Sequence, residues 1–317
     1  MATQKRARRT IWPTNGNNRN FMTQYVRKHI IPPMKKLALQ ILKLIGIAMF
    51  VWIMSRIETA QLIEHIQKIN IYYFLLLTLL VLCIYAIKTM RWRILVKKAG
   101  LDITYRESWK IYNIGVFLAI LTPAKLGEIG RAAYLKKAGM QNLKAIGVVL
   151  ADKIADIAVM AVIALIGIGI LFSIKWMFIG LLIMCCGLAA GIFAIKKMMK
   201  TFSNMKLKTA LLVIGLTTLS WGVYFLWAVL LAKGVGIQVP VHILIATFTL
   251  VGIVALLPIA PSGLGTRDAA LLTLLTPYGV APEQSIALSF LMFLTIIISS
   301  SIGLLHWWKG MYPTKIS

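Results

Sequence analysis

Apolar positions along this chain come in long blocks rather than in an alternating or amphipathic pattern. Six blocks are long enough to cross a hydrocarbon layer, which takes about 20 residues of helix: 37 to 55, 71 to 90, 143 to 172, 176 to 195, 209 to 232 and 284 to 307. Two shorter blocks, 109 to 122 and 242 to 257, each run into a proline and stop. Short helical patterns follow them, at 128 to 138 and 266 to 277. At about 1.5 Å of rise per residue, blocks of this length reach roughly 21 to 24 Å, too short to span comfortably. Each short block with its successor therefore predicts a re-entrant helical hairpin. The expected fold is an all-α polytopic membrane protein with about six full transmembrane helices and two hairpins.

The hairpin tips share a pattern. Pro123 to Gly127 reads PAKLG and Pro261 to Gly265 reads PSGLG, with two alanines a few residues after each. Proline removes a backbone donor and glycine supplies conformational freedom without a side chain, so both suit a break in a helix. The same order then occurs twice: two spans, one hairpin and one long helix in 37 to 172, and again in 176 to 308. Each unit crosses three times, so the second is inverted relative to the first. Inverted repeats with paired broken helices place a binding site near the bilayer midplane between the repeats.

Composition fits this reading: 59% of residues are hydrophobic and 14% charged. The net charge of +26 invites a nucleic-acid partner, but its distribution follows the topology instead. With both termini in the cytosol, only Arg56, Lys68, Lys175, Lys233 and Arg267 fall outside, and Lys43 and Lys153 lie within spans. The expected location is the cytoplasmic membrane. Residues 1 to 36 form a basic cytosolic arm, with no cleavable signal. Cys83, Cys185 and Cys186 lie in apolar runs without zinc spacing, and no metal or cofactor is expected. Trp109, Trp176, Trp307 and Trp308 sit at predicted interfaces. A homo-oligomer stays open.

Chemistry concentrates around the breaks. Only nine residues are acidic, and Glu58, Glu64, Asp102, Glu107 and Glu283 fall in loops or at span ends, where water solvates them. The other four, Glu128, Asp152, Asp156 and Asp268, lie at or near membrane depth, where an unpaired charge costs several kcal/mol. Asp152 and Asp156 share one helical face, and Lys153 lies three before Asp156. One reading is a Lys153 to Asp156 ion pair that neutralises charge; the other is a proton- or cation-responsive pair facing the hairpin. Glu128 suits a helix N-terminus, and it is also three residues from Arg131.

The helices after the breaks present N–H groups and the positive dipole end toward the membrane interior, which attracts anions. Gly127, Gly263 and Gly265 let a phosphate approach the backbone. Arg131 and Arg267 flank that position, Lys125 lies inside the first break, and arginine grips phosphate bidentately. The blander alternatives are water-filled hairpin tips and arginines paired to neighbouring acids. PSGLGTRD lacks the G-K-[ST] of a phosphate loop, and no constellation for nucleophilic catalysis is visible.

The three stretches LTPAKLGEIGRAAYLKKAGM, VVLADKIADIAVM and LLPIAPSGLGTRDAALLTLL occur in an order that resembles the flippase-like domain family. That family includes the transmembrane region of lysylphosphatidylglycerol synthases and related archaeal and bacterial membrane proteins. The resemblance covers most of 37 to 308. It places the family's P...GE..R stretch on Pro123, Gly127, Glu128 and Arg131, its D+..D stretch on Asp152, Lys153 and Asp156, and its P..GLG stretch on Pro261, Gly263, Leu264 and Gly265. Where the family often has Glu after the last glycine, this chain reads Thr266, Arg267, Asp268. The soluble aminoacyltransferase domain is absent, so lysyl transfer is not expected.

The resemblance implies movement of a lipid with a charged head group between leaflets. The expectation is a non-enzymatic translocator of a phospholipid or polyprenyl-phosphate-linked lipid, working by alternating access. Lys125, Gly127, Arg131, Gly263, Gly265 and Arg267 would bind the anionic head group; Glu128, Asp152, Lys153, Asp156 and Asp268 would couple or gate. The alternatives are an integral membrane enzyme that modifies a lipid head group and an ion-coupled transporter of small solutes.

Overall fold

A computed structural model describes residues 69 to 122, 125 to 182, 184 and 185, 205 to 255 and 265 to 308. The basic arm, the span expected at 37 to 55, most of that at 176 to 195 (174 to 182 are helical), Pro123, Pro261, Gly263 and Cys186 lie outside the described residues. Among the described residues every regular element is a helix. In chain order these are α1 (Ile71–Lys98), α2 (Tyr105–Ile120), a 3-10 turn (Leu126–Gly130) leading into α3 (Arg131–Lys137), α4 (Asn142–Leu171), α5 (Leu207–Gly234), α6 (Val241–Val254), α7 (Thr266–Leu275) and α8 (Pro282–Trp308). α1, α4, α5 and α8 are long and apolar enough to cross a membrane, and α6 is a shorter apolar helix. The chain is a multi-pass membrane protein.

Local chemistry sets the ends. The Tyr72 N–H donates to Asn70 Oδ1 at 2.9 Å to start α1, and Gly100, at φ 92°, follows its end. α1 thus runs eight residues past the apolar block expected to end at Met90, and carries Lys88 and Arg91 as helix residues rather than loop cations. Glu107, expected in a solvated loop, instead closes a capping box on α2: its N–H donates to Thr104 Oγ1 and the Thr104 N–H donates to its carboxylate at 2.8 Å. α2 stops at Thr122, whose hydroxyl donates to the Leu118 carbonyl at 3.1 Å and accepts the Gly127 N–H at 2.6 Å. The chain doubles back so closely that a Cβ on Gly127 would lie 2.2 Å from the Leu118 carbonyl oxygen.

Three helix pairings dominate the bundle: α1 with α5, α2 with α8, and α4 with α6. Small residues let the last two approach. A Cβ on Gly303 of α8 would meet the Asn113 carbonyl at 2.1 Å, and one on Gly167 of α4 would meet Ala246 of α6 at 3.2 Å. α1 and α5 run antiparallel, with Tyr73 donating to the Leu230 carbonyl near one end and Arg91 to Thr217 near the other. Burial inverts the soluble pattern. Leu75, Leu76, Leu79, Leu211 and Leu212 are exposed, while Thr217, Thr249, Thr295 and Ser299 are buried. Each of those four hydroxyls donates to the carbonyl four residues earlier, which satisfies it without water.

Candidate functional site

Asp152 and Asp156 project from one face of α4, as their spacing requires, toward Lys88 and Arg91 on α1. Arg91 donates from Nε to Asp152 at 2.8 Å, from Nη1 and Nη2 to Asp156 at 2.7 and 3.1 Å, and from Nη1 to Thr217 on α5 at 3.0 Å. Lys88 reaches the same Asp156 at 3.0 Å. The second oxygen of Asp152 accepts from Arg131 at 2.9 Å, Arg131 meets Glu128 at 3.1 Å, and Lys153 meets Glu128 at 2.9 Å. The result is one alternating chain: Lys88, Asp156, Arg91, Asp152, Arg131, Glu128, Lys153. Arg131 is further held between aromatic faces, 4.5 Å from the Trp92 ring centre and 4.8 Å from that of Tyr112.

The Lys153 to Asp156 pair, one of the two readings left open, does not form: Asp156 pairs with Lys88 and Arg91, and Lys153 with Glu128. Both residues have partners on other elements, which an account of α4 alone could not supply. The Glu128 to Arg131 pair does form. Arg131 is 1% exposed and committed to two carboxylates, so it braces α3 against α4 and α1 rather than facing an open site.

The second break is built differently. Gly265 starts α7 at φ 78° and donates its N–H to Asp268 at 2.6 Å. Ser289 of α8 donates to Asp268 and accepts from Arg267 Nε at 2.8 Å. The N–H groups of Gly127 and Gly265 are therefore both taken internally, by Thr122 and Asp268. Neither of these two backbone donors is free for a phosphate, and charged side chains line the open space instead.

That space is a chamber of about 200 Å³ at mid-bundle. Val81, Ile84, Val116, Val251 and Met292 give it apolar walls, with Tyr85, Tyr112, Tyr224 and Trp227 among them. Its charged lining is Lys88, Lys125, Glu128 and Arg267, so the two breaks contribute a cation each. A neighbouring space of about 150 Å³ shares Lys88, Tyr112, Lys125, Glu128 and Tyr224 with it and adds Lys153, Asp156 and Trp221. The ammonium of Lys125, a residue at φ 55°, makes no ion pair or hydrogen bond among the described residues. No cluster there could hold a metal ion.

The model of the lysylphosphatidylglycerol synthase transmembrane region matches residues 40–303, most of the chain and all of this site. The chain belongs to that family. A curated relative from Methanothermobacter thermautotrophicus, described as a UPF0104 membrane protein, is 22% identical over 296 residues, covering 78% of this chain and 88% of the relative. No solved structure matches the chain.

In this member of the lysylphosphatidylglycerol synthase transmembrane-region family, sequence reasoning located three of the network's carboxylates and missed two of its cations. Lys88 and Arg91 fall at and just past the expected end of the apolar block at Met90, where cations read as the flank of a span. The signal was present: Ile94, Leu95 and Val96 continue the helix, and the first helix stop is Ala99–Gly100. Two carboxylates on one face of a span also demand cations from elsewhere, and Lys88 and Arg91 are spaced i, i+3. Trp221, Ser289 and the chamber tyrosines carry no sequence signal beyond ordinary span composition.

Proposed function

We propose that the protein translocates a lipid with a phosphate-bearing, anionic head group across the cytoplasmic membrane, without altering it chemically. The observation that carries this reading is the mid-bundle chamber to which the two breaks bring Lys125 and Arg267. An apolar cavity with excess cation suits an anionic group whose tails stay in lipid. Lys88, Lys125 and Arg267 are the head-group ligands in this account. Gly127 and Gly265 shape the breaks, and Asp268 orients Arg267 through Ser289.

An inverted repeat supplies the motion. The order long, short, short, long recurs in α1 to α4 and α5 to α8. Exchanging the halves maps the α1–α5 pairing onto itself and α2–α8 onto α6–α4. Those pairings and the antiparallel run of α1 and α5 are what a pseudo-two-fold axis in the membrane plane requires, with the hairpins re-entrant and both termini cytosolic. Rocking of the halves then alternates access to the chamber. The outer links of the charge chain, Lys88–Asp156 and Lys153–Glu128, have side chains 17 to 25% exposed and can exchange partners; Arg91, Asp152 and Arg131 are at most 2% exposed and stay fixed.

The test is reconstitution into vesicles carrying a leaflet-specific label on an anionic or a zwitterionic phospholipid. The account expects the anionic lipid to equilibrate between leaflets with its mass unchanged. A changed lipid mass would identify a membrane enzyme instead, and solute uptake without lipid movement a solute transporter.

A further inference from the structure

The chamber's charges do not balance. Among the described residues its wall carries Lys88, Lys125 and Arg267 against Glu128, a surplus of two positive charges. The charges behind the wall do not remove it: Arg91, Arg131 and Lys153 are matched in number by Asp152, Asp156 and Asp268. Arg267 is buried and Lys88 half-buried, where uncompensated charge is costly, and Lys125 is exposed beside them, so the surplus favours a bound counter-charge of similar size.

Among the residues that line the two spaces, the buried hydrogen-bonding atoms without a partner are donors as well. Trp227, which lines the chamber, and Trp221, which lines the neighbouring space, have buried indole N–H groups without a partner among the described residues. The Lys125 ammonium has none there either, and among the described residues Arg267 uses only Nε, on Ser289. Indole, ammonium and guanidinium can only donate. What they lack is an acceptor-only group.

From these observations we infer that the chamber takes the doubly charged phosphate monoester terminus of a lipid in preference to a singly charged phosphodiester. A terminal monoester presents three free oxygens and close to two negative charges at neutral pH. A phosphodiester presents two free oxygens and one charge, which leaves one cation of the surplus unmatched. The inference rests on the reading of the chamber as the head-group site, but not on translocation itself.

The experiment is ligand binding to the full chain in detergent, comparing phosphatidic acid with phosphatidylglycerol of identical acyl chains and with inorganic phosphate. Phosphatidic acid is expected to bind about tenfold more tightly than phosphatidylglycerol, as one more charge contact in a partly buried site implies. Lys125→Met, at an exposed side chain whose loss leaves no carboxylate bare, is expected to cut that preference to about twofold. Trp221→Phe, which removes one donor and keeps the ring, is expected to weaken both lipids by a similar factor. Inorganic phosphate that displaces the lipid only at much higher concentration supports recognition of the dianion on a lipid anchor; inorganic phosphate binding as tightly as phosphatidic acid overturns the lipid assignment. Equal or tighter binding of phosphatidylglycerol, or a preference unchanged in Lys125→Met, overturns the dianion. A phosphodiester that crosses between leaflets in such a case leaves the translocator reading standing, whereas preferred binding of the monoester without movement of any lipid removes that reading alone.

Discussion

Arg91 and Asp152 are 61 positions apart in sequence and meet at 2.8 Å, with side chains 0% and 2% exposed. The other oxygen of Asp152 holds Arg131 at 2.9 Å, so one carboxylate stands between two buried guanidinium groups. Removing its charge leaves Arg91 with Asp156 and Arg131 with Glu128 as their remaining carboxylate partners. Asp152→Asn is expected to cost about 3–5 kcal/mol, the range for breaking a buried pair on one side. Thermal unfolding in detergent measures this against Asp102→Asn, whose pair with Lys97 is solvent-exposed and worth at most about 1 kcal/mol. Equal effects of the two variants would contradict the network.

Arg131 is planar, stacked and forked, and lysine reproduces none of these features. Arg131→Lys keeps the charge but loses the second carboxylate contact and the stacking on Trp92 and Tyr112. It is expected to destabilise by about 2 kcal/mol, on the scale of one charged hydrogen bond. Unfolding indistinguishable from wild type would show that the bidentate grip is not structural.

The α2–α8 seam depends on the absence of a side chain at Gly303, where a Cβ would meet backbone atoms of α2. Gly303→Ala is expected to destabilise by about 1–3 kcal/mol through overpacking. Gly215, which has open space at its Cβ position, serves as control: Gly215→Ala is expected to be neutral or to stabilise by up to about 1 kcal/mol through helix propensity. Identical responses would mean that the seam does not constrain the fold.

Lys153–Glu128 is a peripheral link of the charge chain, 25% and 19% exposed. Lys153→Met is expected to change unfolding by less than about 1 kcal/mol while altering the rate of lipid movement in vesicles. A rate equal to wild type would remove Lys153 from the coupling set.

The helix content was legible because hydrocarbon thickness imposes a length on every span, and the blocks at 143 to 172, 209 to 232 and 284 to 307 lie within about two residues of α4, α5 and α8 at either end. The end of α1 was not, because Lys88, Arg91 and Arg93 look like a loop until a partner is found for them. Asp152 and Asp156 announced themselves as charges within an apolar run. Their partners could not be read, since Arg91 comes from a helix 61 residues away and the nearest cation in sequence, Lys153, turns to the hairpin instead. The breaks were visible as Pro123 to Gly127 and Pro261 to Gly265, but not the use of their N–H groups. Thr122 and Asp268 consume those donors through local geometry that composition does not encode.

The central claim, that one chamber fed by both breaks carries an anionic lipid across the membrane, is tested most directly by leaflet accessibility in reconstituted vesicles, with wild type beside a Lys125→Met, Arg267→Met double variant. The account predicts that wild type equilibrates a labelled anionic phospholipid and leaves a zwitterionic one in place, and that the double variant, shown to be folded, moves neither. Anionic lipid movement that survives in the folded double variant, or none at all in wild type, would contradict it.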